Sequence, residues 1–442
     1  MRMGFATLAM AAVLAAAGCV SHVARLEPVR AAFHRGDLAE ADRLLVADAR
    51  RHPEDATVIA LDRATLALAD GRPAEAERLL REVRDTFDRV EADDAVESAA
   101  MLASDDVARA YAGEDHEKVL VRALLAVADL MDDGDDAEAY SLQVAERQRE
   151  IVLAAAGDDG TNPKAAYPPV AFGAWLRGTL REATHRDYDD AARAYAQLVS
   201  WEPDYPHGGE LVARARGGTH SARGHGVVQV IALVGHGPFK MDVVEAPSTM
   251  SLAIAGELLA GPLAGVLPAT VAPVRVPRIV AAPGRVTAVS IATAEVQPVR
   301  TETVTSVSRL ALAQQEAMLP TIVGRAVARR ALKTGVVYGV KRGLAIDGTL
   351  PGVALDLAGV AWQAAEKPDT RCWGLLPDSL QVARLELPAG EHRFDLTALD
   401  GAGVACAARA SLPVHVADGR TTYVVVHATD AGIIGRPLAG SR

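Results

Sequence analysis

The sequence has few aromatic residues, few cysteines and no long apolar run beyond its first residues. Aromatic residues occupy 4% of the 442 positions, and three cysteines are present. Because the only uninterrupted apolar run lies at the N-terminus, a protein that crosses the membrane many times is excluded. A four-cysteine zinc site is excluded by number, and there is no Cys-x-x-Cys motif.

Motifs of common enzyme classes are also absent. The sequence contains no G-x-S-x-G, no H-E-x-x-H, no Walker loop and no dinucleotide fingerprint after a predicted strand. Its 46 Lys and Arg against 57 Asp and Glu give a net charge of −11, which argues against a general nucleic-acid binder. Half of the residues are hydrophobic, as in folded proteins. We therefore expect a non-enzymatic protein without a cofactor or bound metal.

The N-terminus carries the most specific signal. A positive Arg2 precedes an apolar stretch at 5–17 that is too short to span a bilayer. Ala16-Ala17-Gly18-Cys19 then resembles a bacterial lipobox, which predicts that residues 1–18 are a signal peptide and that Cys19 is acylated. An ordinary secretory signal is the alternative. Val20 after the cysteine favours the outer membrane, with the chain facing the periplasm.

Residues 19–205 are predicted to form tetratricopeptide-like helical repeats. The segment Gly36-Asp37-Leu38-Ala39-Glu40-Ala41 recurs 35 residues later as Gly71-Arg72-Pro73-Ala74-Glu75-Ala76. A turn glycine followed by a small alanine is typical of closely packed helix pairs. Trp175, Ala191, Tyr195 and Pro203 fall at the spacings expected for a third copy, and a fourth, more divergent copy is indicated after Gly134. A helical bundle without repeats is the alternative.

An acidic segment lies within this helical region, with 17 acidic and four basic residues between positions 85 and 140. Glu114, Asp115 and Glu117 suggest a carboxylate cluster for catalysis or Ca²⁺, but the alternating ligands of an EF-hand loop are missing. We favour a helix start in which Asp115 is the N-cap residue and Glu117 lies in the first turn.

A Gly/His-rich linker is predicted at 206–226, followed by a mixed strand and helix region at 227–346. The histidines of this part are expected to be solvated rather than metal ligands: His207, His220, His225 and His236. In the segment 248–272, residues 252–259 are expected to form a helix that is buried or faces a membrane surface.

A second helix is expected at 311–346, where the spacing of four places Arg325, Arg329 and Lys333 on one face. Residues 271–345 contain 11 basic and three acidic residues. These three cations are therefore candidates for binding an anionic glycan or lipid. Electrostatic pairing with the acidic helical half of the same chain is the alternative.

A junction at 347–375 precedes a predicted small antiparallel β-sandwich at 376–430 and a tail at 431–442. The sandwich is expected to contain a hairpin whose turn is Pro388-Ala389-Gly390. Asp369, Arg371 and Trp373 could bind a carboxylate or a sugar, or could form an ion pair and a core anchor. Cys372 and Cys406 could form a disulfide in the periplasm or remain buried free thiols.

Three motifs occur in one order after the lipobox: Tyr111-x-Gly113-Glu114-Asp115-x-Glu117, Asp369-Thr370-Arg371-x-Trp373, and Gln381-Val382-Ala383-Arg384 with Leu387-Pro388-x-Gly390-x-His392. In this respect the chain resembles a family of uncharacterised bacterial lipoproteins with a tetratricopeptide-like N-terminal domain. The resemblance implies no established activity, catalytic residue or cofactor.

The fold class that follows is a multidomain α+β protein. The leading functional hypothesis is a non-enzymatic outer-membrane lipoprotein that binds another envelope protein through its helical repeat surface. The alternative is a binding module for anionic glycan or lipid that uses Arg325, Arg329 and Lys333. An unrecognised enzyme is the third hypothesis.

Overall fold

The computed structural model describes residues 21–94, 110–132, 134–157, 160–259, 272–343 and 368–441. Cys19 and part of the segment 248–272 lie outside these ranges. The helix that contains Lys333 is described to residue 343, but the side chain of Lys333 lies outside the described part of the structure. The described chain contains both helices and strands, as the α+β class requires.

In the described ranges, helices follow one another up to residue 216, and strands with two further helices come after them. Their bounds are α1 (His22–Arg25), α2 (Glu27–His34), α3 (Leu38–Arg51), α4 (Ala56–Ala69), α5 (Pro73–Asp94), α6 (Asp115–Met131), α7 (Ala137–Leu153), α8 (Ala171–Glu182), α9 (Tyr188–Trp201), α10 (Gly208–Arg216), α11 (Thr249–Leu259) and α12 (Val307–Gly343). No helix within the described ranges is both long and apolar enough to cross a membrane.

The repeated glycines join helices at equivalent places. Gly36 follows α2 with φ of 81°, and Gly71 follows α4 with φ of 78°, in the left-handed region that glycine adopts without strain. A Cβ atom at these positions would approach Ile434 and Arg436, two residues apart on one strand. The two glycines of the 35-residue repeat therefore both lie against the same strand of the sheet. The tetratricopeptide character of the helix pairs stays a prediction.

The strands are β1 (His225–Val234), β2 (Phe239–Glu245), β3 (Val274–Val280), β4 (Val286–Ala292), β5 (Val299–Arg300), β6 (Glu302–Ser306), β7 (Ser379–Pro388), β8 (Gly390–Asp400), β9 (Ala405–Val416), β10 (Thr421–Thr429) and β11 (Gly432–Ser441). In the described ranges, nine of them form one sheet in the order β5-β4-β8-β9-β11-β10-β1-β7-β6. Strands β2 and β3 form a separate antiparallel pair.

The nine-stranded sheet nearly closes on itself at Thr301, between β5 and β6. Strand β5 pairs with β4, and β6 pairs with β7. The Thr301 backbone N–H donates to Val289 O at 2.9 Å, and its hydroxyl donates to Gln381 Oε1 at 2.7 Å. Gln381 Nε2 in turn donates to Thr287 O at 2.9 Å. These bonds satisfy polar groups where the two ends of the sheet meet.

The prediction of an independent β-sandwich at 376–430 is wrong. Strand β1, from the region predicted as a separate domain, lies between β10 and β7 and pairs with both. The predicted tail at 431–442 contains β11, which pairs with β10. Because β1 is apolar on both faces, it is stable only when neighbours cover both sides.

The predicted hairpin at Pro388-Ala389-Gly390 is also wrong. Strands β7 and β8 flank this turn but do not pair with each other. Strand β7 pairs with β1 along one edge and with β6 along the other, and β8 pairs with β4 and β9 in the same way. The turn therefore passes the chain from one part of the nearly closed sheet to another.

The sheet separates two apolar cores. Its inner face is filled by aliphatic and aromatic side chains from β1, β4, β7, β8, β9, β10 and β11. The outer faces of β1, β7 and β10 pack against the helices. A third cluster joins α11, α12, β2 and β3 into a small arm. The helix predicted at 252–259 is confirmed as part of α11.

Candidate functional site

A cleft of about 360 Å³ opens where α12, β3, residues 110–116 and residues 368–371 meet. We call it the junction cleft. Its volume lies within the range of roughly 300–1,000 Å³ that is usual for small-molecule sites. Five cationic and three acidic side chains line it: Lys240, Arg275, Arg325, Arg329, Arg371, Glu114, Asp115 and Asp369.

Helix α12 supplies one wall of the junction cleft. Spacings of three and four residues place five side chains along one face: Gln314, Met318, Ile322, Arg325 and Arg329. Arg329 is 8% exposed, whereas Arg325 is exposed and forms no hydrogen bond or ion pair with any described residue. Two of the three predicted cations of this helix thus line the junction cleft.

The opposite wall contains Arg371, which is 2% exposed. Its guanidinium donates from Nε to Asp369 Oδ1 at 2.9 Å and from Nη2 to Asp369 Oδ2 at 2.7 Å. The guanidinium carbon also lies 5.4 Å from the centre of the Tyr111 ring. A bidentate carboxylate and an aromatic face hold the guanidinium in a fixed orientation.

Trp373, the third residue of the predicted trio, does not line the junction cleft. It is 1% exposed, and its backbone N–H donates to Glu117 Oε1 at 2.7 Å. Its indole Nε1 donates to Thr65 Oγ1 at 2.9 Å. Trp373 is therefore a core anchor, while Asp369 and Arg371 form an ion pair at the cleft.

The acidic motif forms the base of the junction cleft and the start of α6. The N-cap residue is Glu114 rather than the predicted Asp115, and its backbone N–H donates to Glu117 Oε2 at 3.0 Å. Asp115 pairs with Lys164 Nζ at 2.7 Å and accepts a hydrogen bond from the Tyr167 hydroxyl at 3.0 Å. Protein groups therefore satisfy these carboxylates.

Lys240 is a site residue that the sequence did not single out. It lies on β2, is 5% exposed, and pairs with Glu114. Burial would lower the pKa of Lys240, but the carboxylates of Glu114, Asp369 and Glu117 together outweigh burial and raise it. The ammonium group therefore stays charged, and Glu114 largely neutralises it.

Asp62 on α4 bonds to the segment that follows Arg371 in the chain and was also missed. It is 1% exposed, and its Oδ1 accepts a hydrogen bond from the Leu375 backbone N–H at 2.9 Å. Burial raises the pKa of Asp62 to about 7. Asp62 is the single acidic residue of α4, whose other charged residue is Arg63, and that was the available signal.

Cys372 and Cys406, the two cysteines among the described residues, are free and buried. Cys372 lies in the segment beside Glu117 and Lys240, and burial raises its thiol pKa to about 12. Cys406 points into the inner core of the sheet. Of the two alternatives, the structure has the buried free thiols and not the disulfide: Cys406 belongs to the inner core of the sheet and Cys372 does not.

The prediction of solvated histidines is wrong for part of the set. His220 is 3% exposed, and its Nε2 lies 2.9 Å from Thr421 Oγ1 on β10. The ring of His236 stacks on that of His34, with centroids 3.7 Å apart. The predicted linker contains α10, which packs against α9, so this segment is not an extended linker.

One group of three carboxylates among the described residues brings possible ligand atoms within 4.8 Å of one another: Glu77, Asp129 and Asp136. Arg81 lies 2.5 Å from Glu77 Oε1 and 3.1 Å from Asp136 Oδ2. The guanidinium thus already balances part of the negative charge of this group.

Comparison of the chain with protein-family models, with curated protein sequences and with solved structures finds no match in any of the three. The likeness to a lipoprotein family stays a prediction.

Proposed function

We propose that this protein is a non-enzymatic cell-envelope lipoprotein that binds an anionic ligand in the junction cleft. The observation that carries the proposal is the exposed Arg325, which has no partner among the described residues. The other cations at the cleft include Lys240 paired with Glu114, and Arg371 paired with Asp369. A guanidinium without a carboxylate partner favours a carboxylate or phosphate ligand.

The proposed anchor at Cys19 would place this cleft near the membrane. Helix α1 begins at His22, whose Nδ1 lies 3.2 Å from Asp55 Oδ2. Asp55 Oδ1 in turn lies 3.7 Å from Arg371 Nη1 in the cleft wall. Burial would raise the pKa of Asp55, but hydrogen bonds from His22 and Arg25 lower it to about 2. Three residues reach about 11 Å at most, so the anchor and the cleft wall would be close neighbours.

The test uses the mature chain, residues 19–442 with Cys19→Ala, so that neither an acyl anchor nor the apolar signal segment contributes. We expect it to sediment with phosphatidylglycerol vesicles or with sacculi at low salt, and to be released at high salt because screening weakens charge attraction. Arg325→Gln should reduce sedimentation, while Arg309→Gln on the same helix, outside the cleft, should not. Equal sedimentation with neutral phosphatidylcholine vesicles at both salt concentrations would contradict the proposal.

A second candidate function is a scaffold for another envelope protein. Four large apolar side chains of the small arm are well exposed: Met241, Val244, Met250 and Leu258. The turns at Gly36 and Gly71 already contact the sheet, so the arm is a better partner surface than that side of the helices. A photo-crosslinker at Met250 should capture one envelope protein in cells, and Val244→Lys should abolish that crosslink. A crosslinker at Ser411 on β9 is the matched control.

A further inference from the structure

The α12 wall of the junction cleft has three chemically different zones. Gln314 lies at one end, half-buried Met318 and Ile322 follow, and Arg325 and Arg329 lie at the other end. With a rise of about 1.5 Å per residue, Gln314 and Arg325 are about 16 Å apart along the helix. The cleft therefore presents an amide, then an apolar stretch, then a cation in a line.

Gln314 supplies an independent sign of a ligand. The residue is 8% exposed, and its Oε1 is buried without a hydrogen-bond partner in the described part of the chain. A buried acceptor without a donor costs free energy. Its neighbour Gln315 is fully used, since Oε1 accepts from the Ile279 N–H at 2.7 Å and Nε2 donates to Pro277 O at 3.1 Å. Gln314 thus offers an acceptor to whatever enters the cleft.

The middle zone has little to offer a polar ligand. Met318 and Ile322 of α12 face Val276, Pro277 and Ile279 of β3 across the cleft. Nearby hydroxyls are engaged, because Tyr111 donates to Glu117 and Tyr167 donates to Asp115. A hydrocarbon segment would gain by leaving water here, whereas a glycan would lose hydrogen bonds.

We propose that the junction cleft takes an anionic amphiphile with a single hydrocarbon chain. This inference rests on the proposed function and narrows its ligand class. The anionic group lies at Arg325, the chain runs along Met318 and Ile322, and a hydroxyl or amide N–H of the ligand donates to Gln314 Oε1. A carboxylate from a free fatty acid and a phosphate from a single-chain lipid share this chemistry.

The experiment is calorimetric titration of the mature chain, residues 19–442 with Cys19→Ala, without detergent. The probes are decyl phosphate and decanoate, each below its micelle-forming concentration, with inorganic phosphate and decanol as reference compounds. We expect both amphiphiles to bind at least tenfold more tightly than phosphate or decanol. Tighter binding of decyl phosphate would indicate a single-chain phosphate lipid as the ligand, and tighter binding of decanoate would indicate a free fatty acid.

Substitutions test the contribution of each of the three zones of the α12 wall to binding. Arg325→Gln should weaken decyl phosphate about tenfold or more and leave decanol unchanged, because a charge-assisted hydrogen bond is lost. Ile322→Asn should remove the advantage of decyl phosphate over phosphate; if this variant does not fold, Met318→Gln replaces it. Gln314→Leu should abolish the preference for 10-hydroxydecanoate over decanoate. Arg309→Gln should behave like the parent chain.

Each outcome decides between the two proposals. Equal affinity for phosphate and decyl phosphate, both lowered by Arg325→Gln, would overturn the amphiphile and leave anion binding intact. Decanol binding as tightly as decyl phosphate would overturn the anionic requirement. Failure of every probe, together with failure to sediment with vesicles or sacculi, would overturn both.

Discussion

The nearly closed sheet has a helix-covered half and a solvent-facing half. Strands β1 and β10 are buried along almost their whole length, because their outer faces pack against helices and their inner faces fill the sheet interior. Strands β8 and β9 instead alternate between buried and exposed residues. The two halves thus share one inner core, but the outer face of one half packs against helices and the outer face of the other meets solvent.

The two sides of the sheet also differ in which polar side chains they bury. The inner core contains aliphatic side chains, Phe394 and the thiol of Cys406. The helix-covered side also buries carboxylates and imidazoles, such as Glu117, Asp62 and His427. Glu117 accepts hydrogen bonds from three donors, whereas His427 Nε2 has no hydrogen-bond partner among the described residues. The following predictions test whether the two halves differ energetically in this way.

The largest difference is expected for a lysine placed on the outer face of each half. Val425→Lys on β10 would bury a charge among the helices and should lower the free energy of unfolding by more than about 4 kcal/mol. Ser411→Lys on β9 lies in solvent and should change it by less than about 0.5 kcal/mol. Urea denaturation measures both. Similar midpoints for the two variants would show that the halves are equivalent.

Removal of a buried carboxylate should have the next largest effect. Glu117 accepts hydrogen bonds from the Tyr111 hydroxyl and from the backbone N–H groups of Glu114 and Trp373. Glu117→Ala leaves these donors unsatisfied and should destabilise the protein by about 3 kcal/mol or more. Glu391→Ala removes an exposed carboxylate from β8 and should cost less than about 1 kcal/mol in the same urea assay. A cost below 1 kcal/mol for Glu117→Ala would contradict the assigned network.

Asp62 should make the covered half pH-dependent. Burial raises its folded-state pKa to about 7 from an ordinary value near 4, so the folded state retains a proton that the unfolded state releases. Stability contributed by this group therefore falls as pH rises from about 4 to 7. Relative to the parent, Asp62→Asn should gain on the order of 2 kcal/mol between pH 5 and pH 8. Asp395→Asn on β8 is the control, and a constant difference between Asp62→Asn and the parent would refute the shift.

His427 should act in the opposite direction and slightly more weakly. Burial lowers its pKa to about 4, so between pH 6.5 and 4 the unfolded state binds a proton that the folded state excludes. The parent therefore loses stability as pH falls through this window. His427→Leu should remove about 2 kcal/mol of that loss between pH 7 and 4.5. Phe33→Leu, which removes the ring contact at 6.5 Å without removing the imidazole, should keep the loss. Thermal unfolding across pH distinguishes the two.

Local patterns predicted the elements better than their assembly. The helices at 252–259 and 311–346 were expected and are present in α11 and α12. Strands β8 and β9 alternate between buried and exposed residues because one of their faces meets solvent. Strand pairing was not predictable from the Pro388-Ala389-Gly390 turn, since the edges of β7 and β8 are taken by strands distant in sequence.

The candidate site was predicted in fragments. Arg325 and Arg329 came from helical spacing, and Asp369 and Arg371 came from a charged and aromatic motif. The sequence held no sign that these fragments meet, or that Lys240 and Gln314 join them in one cleft. Arg371 and Arg325 differ in whether a carboxylate neutralises them, and that difference depends on neighbours rather than on residue type.

The sequence by itself determined the segregation of acidic and basic segments, the glycine turns at Gly36 and Gly71, and the apolar faces of the helices and strands. Those features follow from local backbone geometry and periodicity. Only the tertiary structure decided the strand order, the separation of Cys372 from Cys406, and the convergence of β3, α12 and residues 368–371 on one cleft. These depend on contacts between residues far apart in the chain, which local propensities do not encode.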